Sequence, residues 1–172
     1  MNADGEGLRE MSLSRMLRTS ANMFAVIGLA SPVQGGSRGF IMKEKAKKID
    51  YANKTFIVIG THGEEDIEKA TMTFACAGAS AALGIKTKVF LTSNGVKLAQ
   101  KGHAEKLPSV KGMASIKDLM AAFVDSGGKL MVCIPCLETR GFDKKSFVEG
   151  TQFLNLMDFA TETLNADKVL TC

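Results

Sequence analysis

Lys129–Gly141 reads KLMVCIPCLETRG. A short apolar run, Leu130, Met131 and Val132, ends in two cysteines at C-x-x-C spacing, Cys133 and Cys136. A charged segment with Arg140 and Gly141 follows at once. An apolar strand, an abrupt change of character and a helix start is the arrangement by which α/β proteins build reactive sites at the carboxyl ends of strands. The segment marks a chain that presents one or both of these sulfurs.

The sequence on either side alternates strand and helix. Thr55–Gly60 (TFIVIG) is a compact, β-branched apolar run, the pattern of a strand buried on both faces. Thr61, His62 and Gly63 turn the chain, and Glu64, Glu65 and Asp66 put negative charge at a helix start, where the helix dipole favours it. That helix extends to Leu83, with Gly84 as its stop signal, and Ala75–Ala82 is almost entirely small residues, which allow close packing. Thr87–Thr92 is a second strand, followed by an Asn94–Gly95 turn and a short helix over Val96–Lys101. Ser115 and Asp118 form an S-x-x-D cap for a helix reaching Asp125. Leu130–Ile134 is the third strand, with further helix from about Asp143, helical spacing over Thr151–Leu164, and a short last strand at Val169–Leu170. Strands separated by helices pair in parallel through right-handed crossovers. The expected fold is therefore α/β: a small open, mainly parallel sheet with helices on both faces.

At 172 residues, with 45% hydrophobic and 23% charged residues, the chain has material for one domain and a continuous core. Residues 1–41 read as a leader or tail. Arg9, Arg15 and Arg18 precede a brief apolar patch at Met23–Ala30, the order of an export signal, but the patch is far too short to span a membrane. Residues 42–172 are taken as the single domain. The net charge of +4 owes much to Lys43, Lys45, Lys47, Lys48 and Lys54, a run more typical of a solvated surface than of a nucleic-acid site. With one tyrosine, no tryptophan and no interleaved aromatics, direct nucleic-acid binding is not expected. G-x-G-x-x-G and P-loop motifs are both missing.

Four cysteines in a chain of this length do not make a disulfide framework and suit a reducing compartment. Backbone N–H groups at a helix start and the nearby Arg140 both favour thiolate at the C-x-x-C pair. The plain structural alternative is a buried Cys133 beside an idle Cys136. Zinc would need more ligands than one cysteine pair and two isolated histidines, His62 and His103. C-I-P-C shares its proline with the thioredoxin motif, but no proline follows Cys136 to supply the cis-proline that fold requires. Cys76, inside the small-residue helix, reads as packing, and Cys172 as a mobile terminal thiol.

Over Thr55–Cys172 the chain resembles the DsrE/DsrF-like sulfur-relay family, which includes YchN-type and TusD-type proteins. The likeness rests on the opening strand, on D-I-E-K-A at Asp66–Ala70, and on V-C-x-x-C-x-x-x-R-G at Val132, Cys133, Cys136, Arg140 and Gly141. It implies a three-layer α/β fold, trimers or hexamers, and a cysteine that holds sulfane sulfur as a persulfide, with a small sulfur-carrier protein or other sulfane donor as partner. It implies no metal and no organic cofactor. On this reading Cys133 attacks first and Cys136 shares the relay or resolves it as a disulfide. Arg140 stabilises the thiolate, and Thr61 and His62 line the same crevice. Sulfurtransferase activity in the cytoplasm is the corresponding expectation. A dithiol–disulfide redox protein and a non-catalytic oligomeric scaffold are the alternatives.

Overall fold

A computed structural model describes Tyr51 and residues 53–172. The expected leader, the domain start at residue 42 and the lysines at 43–48 lie outside the described residues. Within them, β1 (Thr55–Gly60), α1 (Ile67–Ala82), β2 (Lys86–Leu91), α2 (Ile116–Asp125), β3 (Lys129–Cys133), α3 (Ile134–Glu138), β4 (Gln152–Leu154), α4 (Leu156–Leu164) and β5 (Lys168–Thr171) are joined by short 3₁₀ segments. The five strands form one sheet in the order β4-β3-β2-β1-β5, with every pair parallel.

Helices cover both faces. On one side the small residues of α1 seat Ala70, Phe74, Ala77 and Ala81 against the sheet. Phe74 meets Phe123 of α2 edge-on, with ring centroids 6.4 Å apart. Core packing thus accounts for the alanine-rich stretch. On the other side Phe159 of α4 stacks on Phe90, centroids 3.7 Å apart, and Glu162 pairs with Lys88. Lys88 and Phe90 lie two residues apart and so share that face, while Val89 and Leu91 point to the α1 face. The helix starts are capped by side chains: Asp66 accepts from Lys69 N–H (3.1 Å) and Ser115 from Asp118 N–H (3.1 Å).

Two expectations need correction. The helix expected over Thr151–Leu164 begins only at Leu156, because Gln152–Leu154 extends the sheet as β4, with Cys133 opposite Leu154. Asn155 ends the strand and caps α4 by accepting from Asp158 N–H at 2.9 Å, an N-x-x-D cap equivalent to the S-x-x-D one. The helix expected from Asp143 is a single 3₁₀ turn, Lys144–Ser146.

Candidate functional site

β2 and β3 are parallel neighbours, so the loops leaving their carboxyl ends converge. Cys133 is the last residue of β3 and is almost completely buried, 2% exposed. The chain then turns directly into α3, with Pro135 in the first turn, where its missing N–H costs nothing. This turn carries Cys136, half-buried, over the end of β2. Its Sγ lies 3.2 Å from Thr92 Oγ1 and accepts from Ser93 N–H at 3.3 Å. Ser93 holds φ at +50°, and it is the one non-glycine residue with positive φ among the described residues. Such strain persists where the surroundings enforce it and collects at functional sites; here it accompanies an amide aimed at a sulfur.

Arg140 ties the two loops together. One guanidinium nitrogen donates to the Cys136 carbonyl (2.9 Å) and the other to Asn94 Oδ1 (2.8 Å). Its hydrogen bonds go to these oxygens, so its effect on Cys136 is that of a nearby positive charge. Gly141 closes α3 at φ +66°, with its N–H on Glu138 C=O and the Phe142 N–H reaching back to Leu137 C=O. This is a Schellman cap, in which glycine takes the left-handed position most readily. The fixed step from Cys133 to Gly141 therefore sets the length of the helix that presents Cys136.

The Thr61–Gly63 loop abuts this site through its backbone. Gly60 C=O accepts from Thr92 N–H (3.0 Å) and Thr61 C=O from Gly95 N–H (3.1 Å). A Cβ on Gly95 would collide with the Gly60 carbonyl oxygen. The side chains of Thr61 and His62 lead elsewhere. Thr61 Oγ1 donates to Cys172 C=O (2.8 Å) and bonds His62 Nδ1 (2.8 Å). The hydroxyl has one proton to give, so Nδ1–H is the donor to it. Cys172, expected to be mobile, is held by its own N–H on Ile59 C=O (2.8 Å) and by Thr61 N–H on its carbonyl (3.1 Å).

The environment separates the two sulfurs of the C-x-x-C pair. Burial pushes the Cys133 thiol above its ordinary range, and the adjacent Cys136 sulfur adds to the effect. Partial burial also opposes ionisation of Cys136. Hydrogen bonds from Thr92, the Cys133 thiol and the Ser93 amide, with the charge of Arg140, outweigh it and bring Cys136 below that range. Cys136 is the better thiolate, and the more accessible one.

The sequence pattern of the DsrE/DsrF-like family matches residues 54–172. The chain belongs to the DsrE/DsrF-like family. Two similar proteins come from Methanocaldococcus jannaschii, both described as uncharacterized. MJ0760 is 29% identical over 128 residues, 72% of this chain and 46% of MJ0760, so the chain spans less than half of that relative. MJ0989 is 28% identical over 116 residues, 67% of this chain and 97% of MJ0989. The fold is similar to the crystal structure of the YchN protein from E. coli, with TM-score 0.59 and 20% identity, covering 69% of this chain and 99% of that one. It is also similar to BT1422 from Bacteroides thetaiotaomicron, a conserved protein of unknown function, with TM-score 0.53 and 17% identity over 72% and 99%.

For this family member, sequence reasoning picked out Cys133, at the end of β3, Cys136, on α3, and Arg140 and Gly141, just beyond that helix. It missed Thr92, Ser93 and Asn94. The available signal was positional: a polar S-N-G turn directly after a strand that adjoins the cysteine strand.

Proposed function

We propose that the chain relays sulfane sulfur and that Cys136 is the residue that holds it. The observation that carries this reading is the seat of the Cys136 sulfur, half-exposed and facing the Thr92 hydroxyl and the Ser93 amide. Cys136–S⁻ attacks the outer sulfur of a persulfide R–S–SH, forming Cys136–S–SH and releasing R–S⁻. An acceptor thiolate then takes the outer sulfur and restores Cys136–S⁻. Alternatively Cys133, once deprotonated, attacks the inner sulfur, giving a Cys133–Cys136 disulfide and HS⁻. This reverses the order expected from sequence, in which Cys133 attacks first. At 2% exposure Cys133 suits the resolving role.

The donor or acceptor in this reading is a small sulfur-carrier protein, and the four free thiols suit a reducing compartment such as the cytoplasm. Among the described residues no helix is long and apolar enough to cross a membrane. We further propose a homo-oligomer, a trimer or hexamer. Every residue of β5 is exposed, with Val169 and Leu170 among them, α4 has no fully buried residue, and its Leu156, Met157 and Leu164 stand in solvent. Exposed apolar side chains in such number on α4 and the edge strand fit burial against a second copy of the chain.

The test is intact mass after incubation with a persulfide donor. Wild type and Cys133→Ser should gain about 32 Da, one sulfur atom, and Cys136→Ser should gain none. No adduct on Cys133→Ser, which cannot resolve the persulfide, sinks the relay. A dithiol–disulfide protein is the second reading, favoured by the C-x-x-C spacing that puts Cys133 at the end of β3 and Cys136 in the first turn of α3. It predicts an internal disulfide and no added sulfur.

A further inference from the structure

Burial opposes the Cys136 thiolate, and the Thr92 hydroxyl, the Cys133 thiol, the Ser93 amide and the Arg140 charge together outweigh it. Thr92 is a short side chain just past the end of β2 and the Ser93 amide is backbone, so the fold itself places both. Arg140 is different. Its charge rides on a long side chain with several rotatable bonds, and it acts on the sulfur only while something holds it there. One anchor is the Cys136 carbonyl (2.9 Å), and the other is Asn94 Oδ1 (2.8 Å) on the facing loop.

Asn94 is a rigid anchor. It lies between Ser93, at φ +50°, and Gly95, whose N–H is on Thr61 C=O at 3.1 Å. The loop after β1 presses on its backbone, since a Cβ on Gly63 would come 2.7 Å from Asn94 C=O. The direction of its amide is dictated as well. A guanidinium only donates, so Oδ1 faces Arg140 and the NH2 group faces the other way. On that side Glu65 Oε1 accepts from Gly63 N–H (3.1 Å), and its Oε2 lies 3.2 Å from the same Cβ position. Burial opposes ionisation of Glu65, while hydrogen bonds from the Gly63 and Glu65 amides and from the Asn94 side chain hold its carboxyl below the usual range.

The amide is also neutral. An aspartate at this position would grip the guanidinium more firmly but would cancel its charge beside the sulfur. Asparagine fixes the cation and leaves it positive. We propose that Asn94 is a positioning residue for Cys136: its neutral amide holds the Arg140 guanidinium against α3, charge uncancelled, and so raises the thiolate population of Cys136. The inference rests on Cys136 as the reacting sulfur. It places part of the control of that sulfur on the loop after β2, outside the C-x-x-C-x-x-x-R-G pattern.

The experiment follows iodoacetamide modification of Cys136 in the full-length chain, peptide by peptide across pH. Asn94→Ala frees Arg140 and should slow Cys136 at neutral pH about threefold, the scale of a partly screened charge moving away, with the midpoint at higher pH. Asn94→Asp keeps the acceptor and the loop, yet Cys136 should again be slowed. In an Arg140→Ala chain, itself slowed, adding Asn94→Ala should change the rate no further. A merely structural asparagine would give the opposite pattern. Aspartate would then restore the wild-type profile, and alanine would slow Cys136 equally with or without Arg140. Either of those results, or a wild-type rate in Asn94→Ala, overturns the proposal. The aspartate variant decides the matter should the alanine variant not fold. The readout is thiol reactivity and not sulfur loading, so a chain that takes up no sulfane sulfur leaves this assignment standing, and unshifted Asn94 variants leave the relay standing.

Discussion

Replacing Thr92 by valine keeps the shape and β-branching of the residue and removes one hydroxyl, 3.2 Å from Cys136 Sγ. A hydrogen bond to a charged group contributes roughly 1.5–3 kcal/mol. Cys136 is half-buried and keeps the Ser93 amide, so the loss should fall below that range, at about 1 kcal/mol. One pKa unit corresponds to about 1.4 kcal/mol, so the thiolate population at neutral pH, and with it the alkylation rate, should drop roughly fivefold. The assay is iodoacetamide modification followed peptide by peptide across pH. In wild type the Cys136 rate should level off below the ordinary thiol range, since hydrogen bonds and Arg140 outweigh its burial. In Thr92→Val it should level off at higher pH. Cys133, raised by burial, should modify only at still higher pH and serves as an internal reference. A Thr92→Val profile matching wild type, or moved to lower pH, would refute the claim that this hydroxyl favours the thiolate.

Gly95→Ala places a Cβ against the Gly60 carbonyl and should cost about 1–3 kcal/mol by urea unfolding; an unchanged midpoint would mean the two loops are not in close contact. Met157→Lys/Leu164→Lys puts charges on the exposed α4 face and should reduce an oligomer to monomer by light scattering; an unaltered oligomer mass would place the interface elsewhere. Cys133 and Cys172 are both held above the ordinary thiol range by burial, so the unfolded chain loses these protons first. The stability they contribute is full below the ordinary thiol pKa and is lost as pH rises through their folded values. Urea midpoints should therefore fall more steeply with alkaline pH in wild type than in Cys172→Ala, and parallel curves would remove Cys172 from that account.

Much of this fold was legible because its strands are short apolar runs punctuated by strong turn signals. TFIVIG ends at the strand boundary itself, Ser115 caps its helix as the pattern requires, and the β3 stretch leads straight into the cysteines. β4 was hidden because three residues carry no periodicity and Phe153 keeps helical spacing with the α4 residues that follow. At the site, C-x-x-C spacing gave the residues but not their ranking. Which sulfur is exposed depends on Cys133 still belonging to the strand while Cys136 has turned onto α3, and on the loop after β2 arriving beside it. That proximity comes from parallel pairing of segments about forty residues apart in sequence. The same kind of long-range pairing tied down Cys172, which looked free at the end of the chain.

The most direct test of the central claim is the position of the extra sulfur on the wild-type chain. Full-length protein is loaded with a persulfide donor, blocked with iodoacetamide and mapped by tandem mass spectrometry, so that the cysteine bearing an additional sulfur, about 32 Da, is read from the fragments. The account predicts that sulfur on Cys136, with Cys133 unmodified or joined to Cys136 as a disulfide after longer times. An additional sulfur on Cys133 while Cys136 remains a free thiol would contradict it.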